Sequence, residues 1–189
     1  FPEAEIKRQV AVRAAGDDQR VLDLGCGTGT LAVMLRQMQP GGLIVGVDVD
    51  GAMLLKAQTK AQHVSASLAL AQSRGELLPL ADGSFDTVVS TLVLHHLNRP
   101  QKLAALREAH RVLRPGGRLY IADFGQPDTM VSRLVSRVTR LFEEVADNID
   151  GLLPKLIAAA DFVEVAAYGR VMTVMGAVTL LQATKSAQD

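Results

Sequence analysis

The chain has 189 residues, and its 20 Lys and Arg balance 20 Asp and Glu, so the formal net charge is zero. This length suits one folded domain, and a neutral chain provides no broad basic surface for nucleic acid or an anionic membrane, so we expect a small-molecule partner. The single cysteine excludes an internal disulfide and does not support a zinc cluster. The sequence has no apolar run long enough to span a bilayer and no secretion signal, so we predict a cytoplasmic protein that does not insert into a membrane.

The first predicted element is a helix over residues 2–15, with Pro2 and Glu3 near its start. Its apolar positions form a modest face, and Gly16 ends it. Because the chain begins at Phe1 rather than at a methionine, we leave open whether this N-terminal helix is truncated.

A glycine-rich turn joins the first predicted strand, at residues 21–24, to a second helix. The turn contains Gly25, Gly27 and Gly29. Glycine allows backbone conformations that are closed to other residues and lets a ligand approach where a Cβ would stand. The helix after the turn directs unpaired N–H groups and the positive end of its dipole into the same space. We therefore predict a binding site for a ligand with hydrogen-bond acceptors.

The spacing of these glycines weakens two phosphate-binding interpretations. A dinucleotide fingerprint needs its third glycine at the position of Thr30, and a P-loop needs a lysine, whereas none occurs between Arg20 and Lys56. Cys26 lies inside the turn, where we interpret it as a small buried residue rather than a reactive thiol.

An acidic residue follows the second predicted strand, at residues 43–47. This residue is Asp48, about 20 residues past the turn, which is the position from which α/β nucleotide sites hold ribose hydroxyls. A carboxylate gains roughly 1.5–3 kcal/mol from each such hydrogen bond because the acceptor is charged. Asp48 is therefore the strongest single candidate for binding, whereas Asp50 is predicted to be the N-cap of the next helix.

The strand and the turn together resemble the first motif of the class I S-adenosylmethionine-dependent methyltransferases, strand-Asp-x-Gly-x-Gly-x-Gly-helix. The motif positions are Asp23, Gly25, Gly27 and Gly29. The resemblance implies that the loop, including Cys26, wraps the amino acid end of S-adenosylmethionine and that Asp23 serves its ammonium group. It also implies that Val49 and Met53 flank the adenine.

A later stretch resembles the third signature of the same family. A short strand is predicted at 68–71, and the sequence from Gly75 to Leu80, followed by Ser-Phe-Asp, matches the family pattern that leads into strand four. The family commonly places Asp or Asn where this chain has Arg74, and arginine cannot accept a hydrogen bond. Either the backbone around Gly75 and Glu76 contacts the adenine edge, or cofactor affinity is reduced, or the segment aligns with a shift.

The fourth predicted strand, at residues 85–90, ends at the crevice where ligands of open parallel sheets collect, so Ser90 is a candidate cofactor contact. Family members that methylate amino groups of bases typically show Asn or Asp, Pro, Pro and an aromatic residue here, and their absence argues against such a substrate. An apolar lip follows, formed by Leu92, Val93, Leu94 and Leu97. Lipid-like quinones, small amines and hydroxylated metabolites are all compatible with this lip.

Two adjacent histidines, His95 and His96, follow within the same segment. Adjacent side chains cannot both face one metal ion without distortion and no third ligand cluster is evident, so we predict no metal site. We take His95 as the candidate catalytic residue, with three interpretations open: a general base, a lip residue that gates the substrate, or a structural histidine before Pro100.

The next helix begins near Pro100. Its predicted inner stripe consists of Leu103, Leu106, Ala109, His110 and Leu113. The fifth strand, at residues 118–123, ends in Asp123, which is either a loop acceptor or a substrate contact.

The rest of the chain is predicted to form two helices, over 128–147 and 152–160, and two strands, over 162–168 and 170–183, near a turn at Gly169. Such a closing pair of strands resembles the antiparallel end of the methyltransferase sheet.

The resemblance covers residues 20–185 of a single domain spanning 1–189, and it is closest to the branch that methylates small molecules such as ubiquinone and menaquinone precursors. It implies an α/β, Rossmann-like fold with a seven-stranded, mostly parallel sheet of order 3-2-1-4-5-7-6, the last strand antiparallel, and helices on both faces. The implied reaction is in-line displacement of the S-adenosylmethionine methyl group by a small-molecule acceptor, which leaves S-adenosylhomocysteine. A non-catalytic S-adenosylmethionine-binding domain and a nicotinamide-dependent oxidoreductase are the alternatives.

Overall fold

The computed structural model describes residues 2–125, 151–174 and 176–188. Seven strands form one sheet in the order β3-β2-β1-β4-β5-β7-β6. The strands are β1 Arg20–Leu24, β2 Leu43–Asp48, β3 Ala69–Gln72, β4 Phe85–Thr91, β5 Leu113–Phe124, β6 Phe162–Thr173 and β7 Gly176–Lys185. The helices are α1 Glu3–Ala14, α2 Thr30–Met38, α3 Gly51–His63, α4 Arg99–Val112 and α5 Leu153–Ala158, with a 3₁₀ turn at Leu94–His96.

The direction of the strands confirms the expected topology. Strands β1 to β5 pair in parallel, whereas β7 is antiparallel to both β5 and β6. Because β1, β2 and β4 lie side by side and point the same way, the segments that follow them meet at one edge of the sheet. In open parallel sheets this is the edge where ligands bind.

Helices cover both faces of the sheet because successive strand residues point to opposite sides. On one side, Leu22 packs in a cluster with Leu106 of α4 and Ile157 of α5. On the other side, its neighbour Val21 packs in a cluster with Ile6 of α1, and α2 also contributes to this cluster. Burial on both sides explains why the central strands are nearly continuous apolar runs.

The helices next to the cavity begin where the sequence predicts. The Asp50 carboxylate accepts from the Ala52 N–H at 2.8 Å, which confirms Asp50 as the N-cap of α3. Asn98 and Gln101 form a capping box at the start of α4, with proline in its first turn.

One local prediction is wrong, and another is correct only in part. β6 continues through Gly169, where a turn was expected, and the hairpin turn lies after Thr173. Gly169 pairs with Leu180 of β7, and a Cβ built on it would lie 2.7 Å from the Leu180 Cδ1 atom, so this glycine provides room for a neighbouring side chain within the sheet.

The predicted inner stripe of α4 is correct in part. Leu106 and Ala109 are buried as expected, and Leu103 packs against the same core cluster. Lys102, Ala105 and Val112 are buried on this face as well. The helix ends at Val112, so Leu113 belongs to β5 rather than to the helix. The side chain of Lys102 is fully buried. The helix predicted over 128–147 lies outside the described residues.

Replacing Asn98 with alanine removes the side chain that accepts from the Gln101 N–H at 3.0 Å. We expect Asn98→Ala to lower the free energy of unfolding by about 0.5–2 kcal/mol, the usual contribution of an N-cap, as measured by urea unfolding. Gln58→Ala, on the exposed side of α3, is the control and should change that free energy by less than about 0.5 kcal/mol. Equal effects of the two substitutions would contradict the capping role.

Candidate functional site

A cavity of about 810 Å³ lies at the carboxyl edge of the sheet. Its walls are the glycine turn after β1, the end of β2, the segment after β3, the segment after β4, and the start of α1. Nine of the residues predicted to bind or react line it: Gly25, Cys26, Gly27, Asp48, Val49, Met53, Gly75, Glu76 and His95.

Three other predicted residues do not line this cavity. Asp23 is fully buried, and Ser90 uses its hydroxyl to donate to the Leu24 carbonyl at 3.0 Å. Gly29 precedes α2 with φ 71°, and a Cβ there would lie 2.7 Å from the Ala57 Cβ of α3. Ser90 therefore stabilises the sheet, and Gly29 allows two helices to approach each other.

The glycine turn is held against the end of β2 by its backbone. The N–H groups of Gly25 and Cys26 both donate to the Val47 carbonyl, at 2.8 and 3.0 Å. A Cβ at Gly25 would lie 2.4 Å from the Val93 Cγ2 atom, whereas a Cβ at Gly27, with φ 53°, would meet nothing within 4 Å. The turn is therefore packed on one side and open at Gly27, where a ligand can approach the backbone.

The Asp48 carboxylate links the turn to the loop after β2. One oxygen accepts from the Gly27 N–H at 2.7 Å, and the other accepts from the Asp50 N–H at 2.9 Å. A carboxylate has about four acceptor positions, so each Asp48 oxygen can accept one further hydrogen bond. Two adjacent hydroxyls of a ligand are a suitable pair of donors.

Asp23 is a buried carboxyl group next to the turn. Neither of its oxygens makes a hydrogen bond of ordinary geometry with the residues that the structure describes. Burial raises the pKa of Asp23 to about 7, although the positive charge of Lys7 and the nearby backbone N–H of Ala32 oppose this shift. A cationic ligand group close to Asp23 would relieve the cost of burying this carboxylate.

Sequence reasoning missed the contribution of α1 to the cavity. Glu3 and Lys7 both line it, and the Lys7 Nζ atom donates to a Glu3 carboxylate oxygen at 2.5 Å. Lys7 is only 8 % exposed. The available signal was the spacing of the two residues, since opposite charges four positions apart on a helix are neighbours.

The segment after β4 forms an apolar wall, and all four residues of the predicted lip line the cavity. Ala105 of α4 and Phe124, the last residue of β5, extend this wall. Leu92 adopts φ 58°, a left-handed conformation that is rare for leucine, and its N–H donates to the Ala122 carbonyl at 2.8 Å. This strained turn directs the chain from β4 across the cavity.

His95 joins the apolar wall to the end of β5. Its Nδ1 atom lies 2.8 Å from an oxygen of Asp123, which is 1 % exposed. The imidazole packs edge-on against the Phe124 ring, with centroids 4.8 Å apart. In the segment after β3, the Arg74 guanidinium donates to the Glu76 carboxylate at 3.1 Å, and both residues line the cavity.

No group of three or more His, Cys, Asp and Glu side chains suited to a metal ion occurs in residues 2–125, 151–174 and 176–188. Over the same residues, no helix has both the length and the apolar character needed to cross a membrane.

The chain matches the model of a known protein family. The family model described as "Methyltransferase domain" matches residues 22–121, from β1 to within β5. The matched range includes the glycine turn, Asp48 and His95.

The names of two curated relatives both refer to the methylation of quinones. The chain is 36% identical over 147 residues to "Demethylmenaquinone methyltransferase" of Thermus thermophilus, covering 78% of this chain and 65% of the relative. It is 37% identical over 147 residues to "Ubiquinone/menaquinone biosynthesis C-methyltransferase UbiE" of Syntrophotalea carbinolica, covering 77% of this chain and 59% of the relative. The chain thus spans less than two thirds of the length of either relative.

A solved structure supports the fold. Magnesium protoporphyrin IX methyltransferase (ChlM) from Synechocystis PCC 6803 with bound SAH superposes with a TM-score of 0.73 at 24% identity, over 97% of this chain and 83% of that chain.

The raised pKa of Asp23 predicts how stability depends on pH. The folded-state pKa of about 7 lies above the ordinary value of 3.8, so the folded state binds the proton more tightly and the protein loses stability as pH rises between these values. The Asp23→Asn variant has no carboxyl group at this position, so its stability lacks this pH dependence. Relative to this variant, the wild-type free energy of unfolding should fall by about 1 kcal/mol per pH unit between about pH 5 and pH 7.

Urea unfolding at several pH values measures this difference. Asp17→Asn, at an exposed position before β1, is the matched control and should follow the wild-type pH dependence. Parallel curves for Asp23→Asn and wild type would contradict the assignment of a raised pKa to Asp23.

Proposed function

This chain belongs to the methyltransferase domain family, and from that premise we propose that it transfers the methyl group of S-adenosylmethionine to a small-molecule acceptor and releases S-adenosylhomocysteine. The observation that carries the proposal is the meeting of two different surfaces in one cavity. A polar side is formed by the glycine turn and Asp48, and an apolar side is formed by the segment after β4. Such a cavity can hold a polar cofactor next to an apolar acceptor.

The polar side fits S-adenosylmethionine. The open backbone at Gly27 leaves room for the ligand, and the Asp48 oxygens can accept from the two ribose hydroxyls. Asp23 lies behind the turn and makes no hydrogen bond of ordinary geometry with the described residues, as expected if an ammonium group approaches this carboxylate. Val49, Met53 and the backbone of Gly75 and Glu76 are proposed to surround the adenine.

The chain's own contribution to the reaction is orientation and exclusion of water. S-adenosylmethionine, when bound, supplies a methyl group attached to a positively charged sulfur. The apolar wall keeps water away from the acceptor, and the turn fixes the cofactor end of the cavity. Correct placement of two reactants can contribute as much as about 7–11 kcal/mol, so this transfer does not require a catalytic triad.

We propose that the acceptor is lipid-like. The apolar wall from Leu92 to Leu97 supports this class, and both relatives are named for quinone methylation. A chain with zero net charge gives no support to a nucleic-acid substrate. A cytoplasmic location and the assignment of residues 1–189 to one catalytic domain stay predictions.

Replacing Asp48 with asparagine tests the cofactor site. We expect Asp48→Asn to raise the Kd for S-adenosylhomocysteine at least about tenfold, because hydrogen bonds to a charged acceptor contribute about 1.5–3 kcal/mol each. Isothermal titration calorimetry measures the Kd. Asp50→Asn is the matched control, since asparagine also caps a helix and Asp50 does not line the cavity. Undiminished affinity in Asp48→Asn would refute the proposed ribose contact.

The same calorimetry separates the alternative functions. Tighter binding of NADH than of S-adenosylhomocysteine would indicate a nicotinamide oxidoreductase. Binding of S-adenosylhomocysteine without transfer of a radiolabelled methyl group to any compound in a metabolite and quinol panel would indicate a non-catalytic binding domain.

A further inference from the structure

We propose that Asp123 is a positioning residue that makes His95 the general base of the methyl transfer. This inference rests on the proposed function, because it assigns a proton acceptor to that reaction. Its structural basis is a network of hydrogen bonds that joins the ends of β4 and β5 beside the cavity. His95 lines the cavity, and the buried Asp123 lies behind His95.

The Asp123 carboxylate receives three hydrogen-bond contacts. The Phe124 N–H donates to one oxygen at 2.7 Å, and the His95 N–H donates to the other at 3.3 Å. The third contact is the His95 Nδ1 atom, 2.8 Å from the oxygen that Phe124 also contacts. Two of the three partners are backbone N–H groups, which can only donate, so the carboxylate acts as an acceptor.

This arrangement determines the tautomer of His95. An ionised carboxylate has no proton to give, so the Nδ1 atom must carry the hydrogen of the 2.8 Å contact. In the neutral imidazole the Nε2 atom then has the free electron pair. The buried carboxylate also stabilises the imidazolium that forms when Nε2 takes up a proton.

Neighbouring rings hold the imidazole in place. The Phe124 ring packs edge-on with its centroid 4.8 Å from that of His95, and the centroid of the tilted His96 ring is 4.0 Å away. The side chain of His95 is only 12% exposed. Because the ring has little freedom to rotate, the imidazole keeps a fixed position beside the apolar wall where the acceptor is proposed to bind.

A general base at His95 determines which class of acceptor can react. An acceptor hydroxyl loses its proton to the Nε2 atom, and the electron pair of the broken O–H bond makes the oxygen, or a conjugated ring carbon, the nucleophile that bonds to the methyl carbon. The electron pair of the former methyl–sulfur bond stays on sulfur. When the oxygen is methylated, the imidazolium then releases its proton to water. When a ring carbon is methylated, that carbon loses its own hydrogen to water as a proton, and the imidazolium returns its proton to the oxygen, which restores the hydroxyl. Each transfer therefore produces one proton. The site therefore favours acceptors with an ionisable hydroxyl, such as hydroquinols, over amines.

Two variants test the inference in kinetic assays. The probe is short-chain demethylmenaquinol, the reduced form of the compound that gives the Thermus thermophilus relative its name. We expect His95→Gln and Asp123→Asn each to lower kcat by at least about 100-fold, the usual contribution of a general base, with KM changed by less than about twofold. The controls His63→Gln and Asp17→Asn lie outside the cavity and should keep the wild-type kcat.

A second measurement does not depend on activity. Nitrogen-15 NMR of the ring nitrogens, with His95→Gln identifying the His95 signals, reports the tautomer directly. We expect a proton on Nδ1 in the wild-type protein and on Nε2 in Asp123→Asn, where an amide N–H can donate to Nδ1. If Asp123→Asn does not fold, the wild-type tautomer and His95→Gln still decide the question.

The possible outcomes distinguish the roles inferred for His95 and Asp123 from the proposed methyl-transfer function. Wild-type activity that persists in His95→Gln, or a wild-type tautomer with the proton on Nε2, would overturn the inference and leave the proposed function intact. If the wild-type protein transfers no methyl group to any acceptor in the panel, the proposed function fails, while the tautomer measurement still shows whether Asp123 orients the His95 imidazole.

Discussion

The site depends on the hydrogen bonds that attach the glycine turn to the end of β2. Two N–H groups of the turn donate to the Val47 carbonyl, and a third donates to Asp48. These bonds are possible because β1 and β2 are parallel neighbours and end at the same level of the sheet. They fix the open backbone at Gly27 beside a carboxylate, and that pair of features defines the polar side of the cavity.

Much of this arrangement could be predicted because its signals are local or belong to a family motif. The turn, Asp48 and the Asp50 cap are each encoded in a few adjacent residues, and the resemblance provided the strand order. Gly169 was misassigned because a glycine inside a strand and a glycine in a turn look the same in sequence. The contact between His95 and Asp123 depends on the register of β4 against β5, which no local pattern specifies.

Two buried carboxylates at the edge of the sheet show how surroundings determine a role. Asp123 accepts backbone hydrogen bonds and contacts an imidazole, so the protein itself compensates its charge. Asp23 is equally buried, makes no hydrogen bond of ordinary geometry with the described residues, and has a raised pKa. The first is suited to supporting a neighbouring group, and the second is suited to meeting a positively charged ligand.

The position of α1 has a practical consequence. Glu3 and Lys7 line the cavity, whereas Lys185 at the end of β7 bonds to the carbonyls of His110 and Leu113 near the start of β5, at the far edge of the sheet. An affinity tag or fluorophore joined ahead of α1 would stand at the entrance to the cavity and compete with ligands for space. Attachment after β7 keeps such a label remote, so surface immobilisation for binding assays is best done through that end.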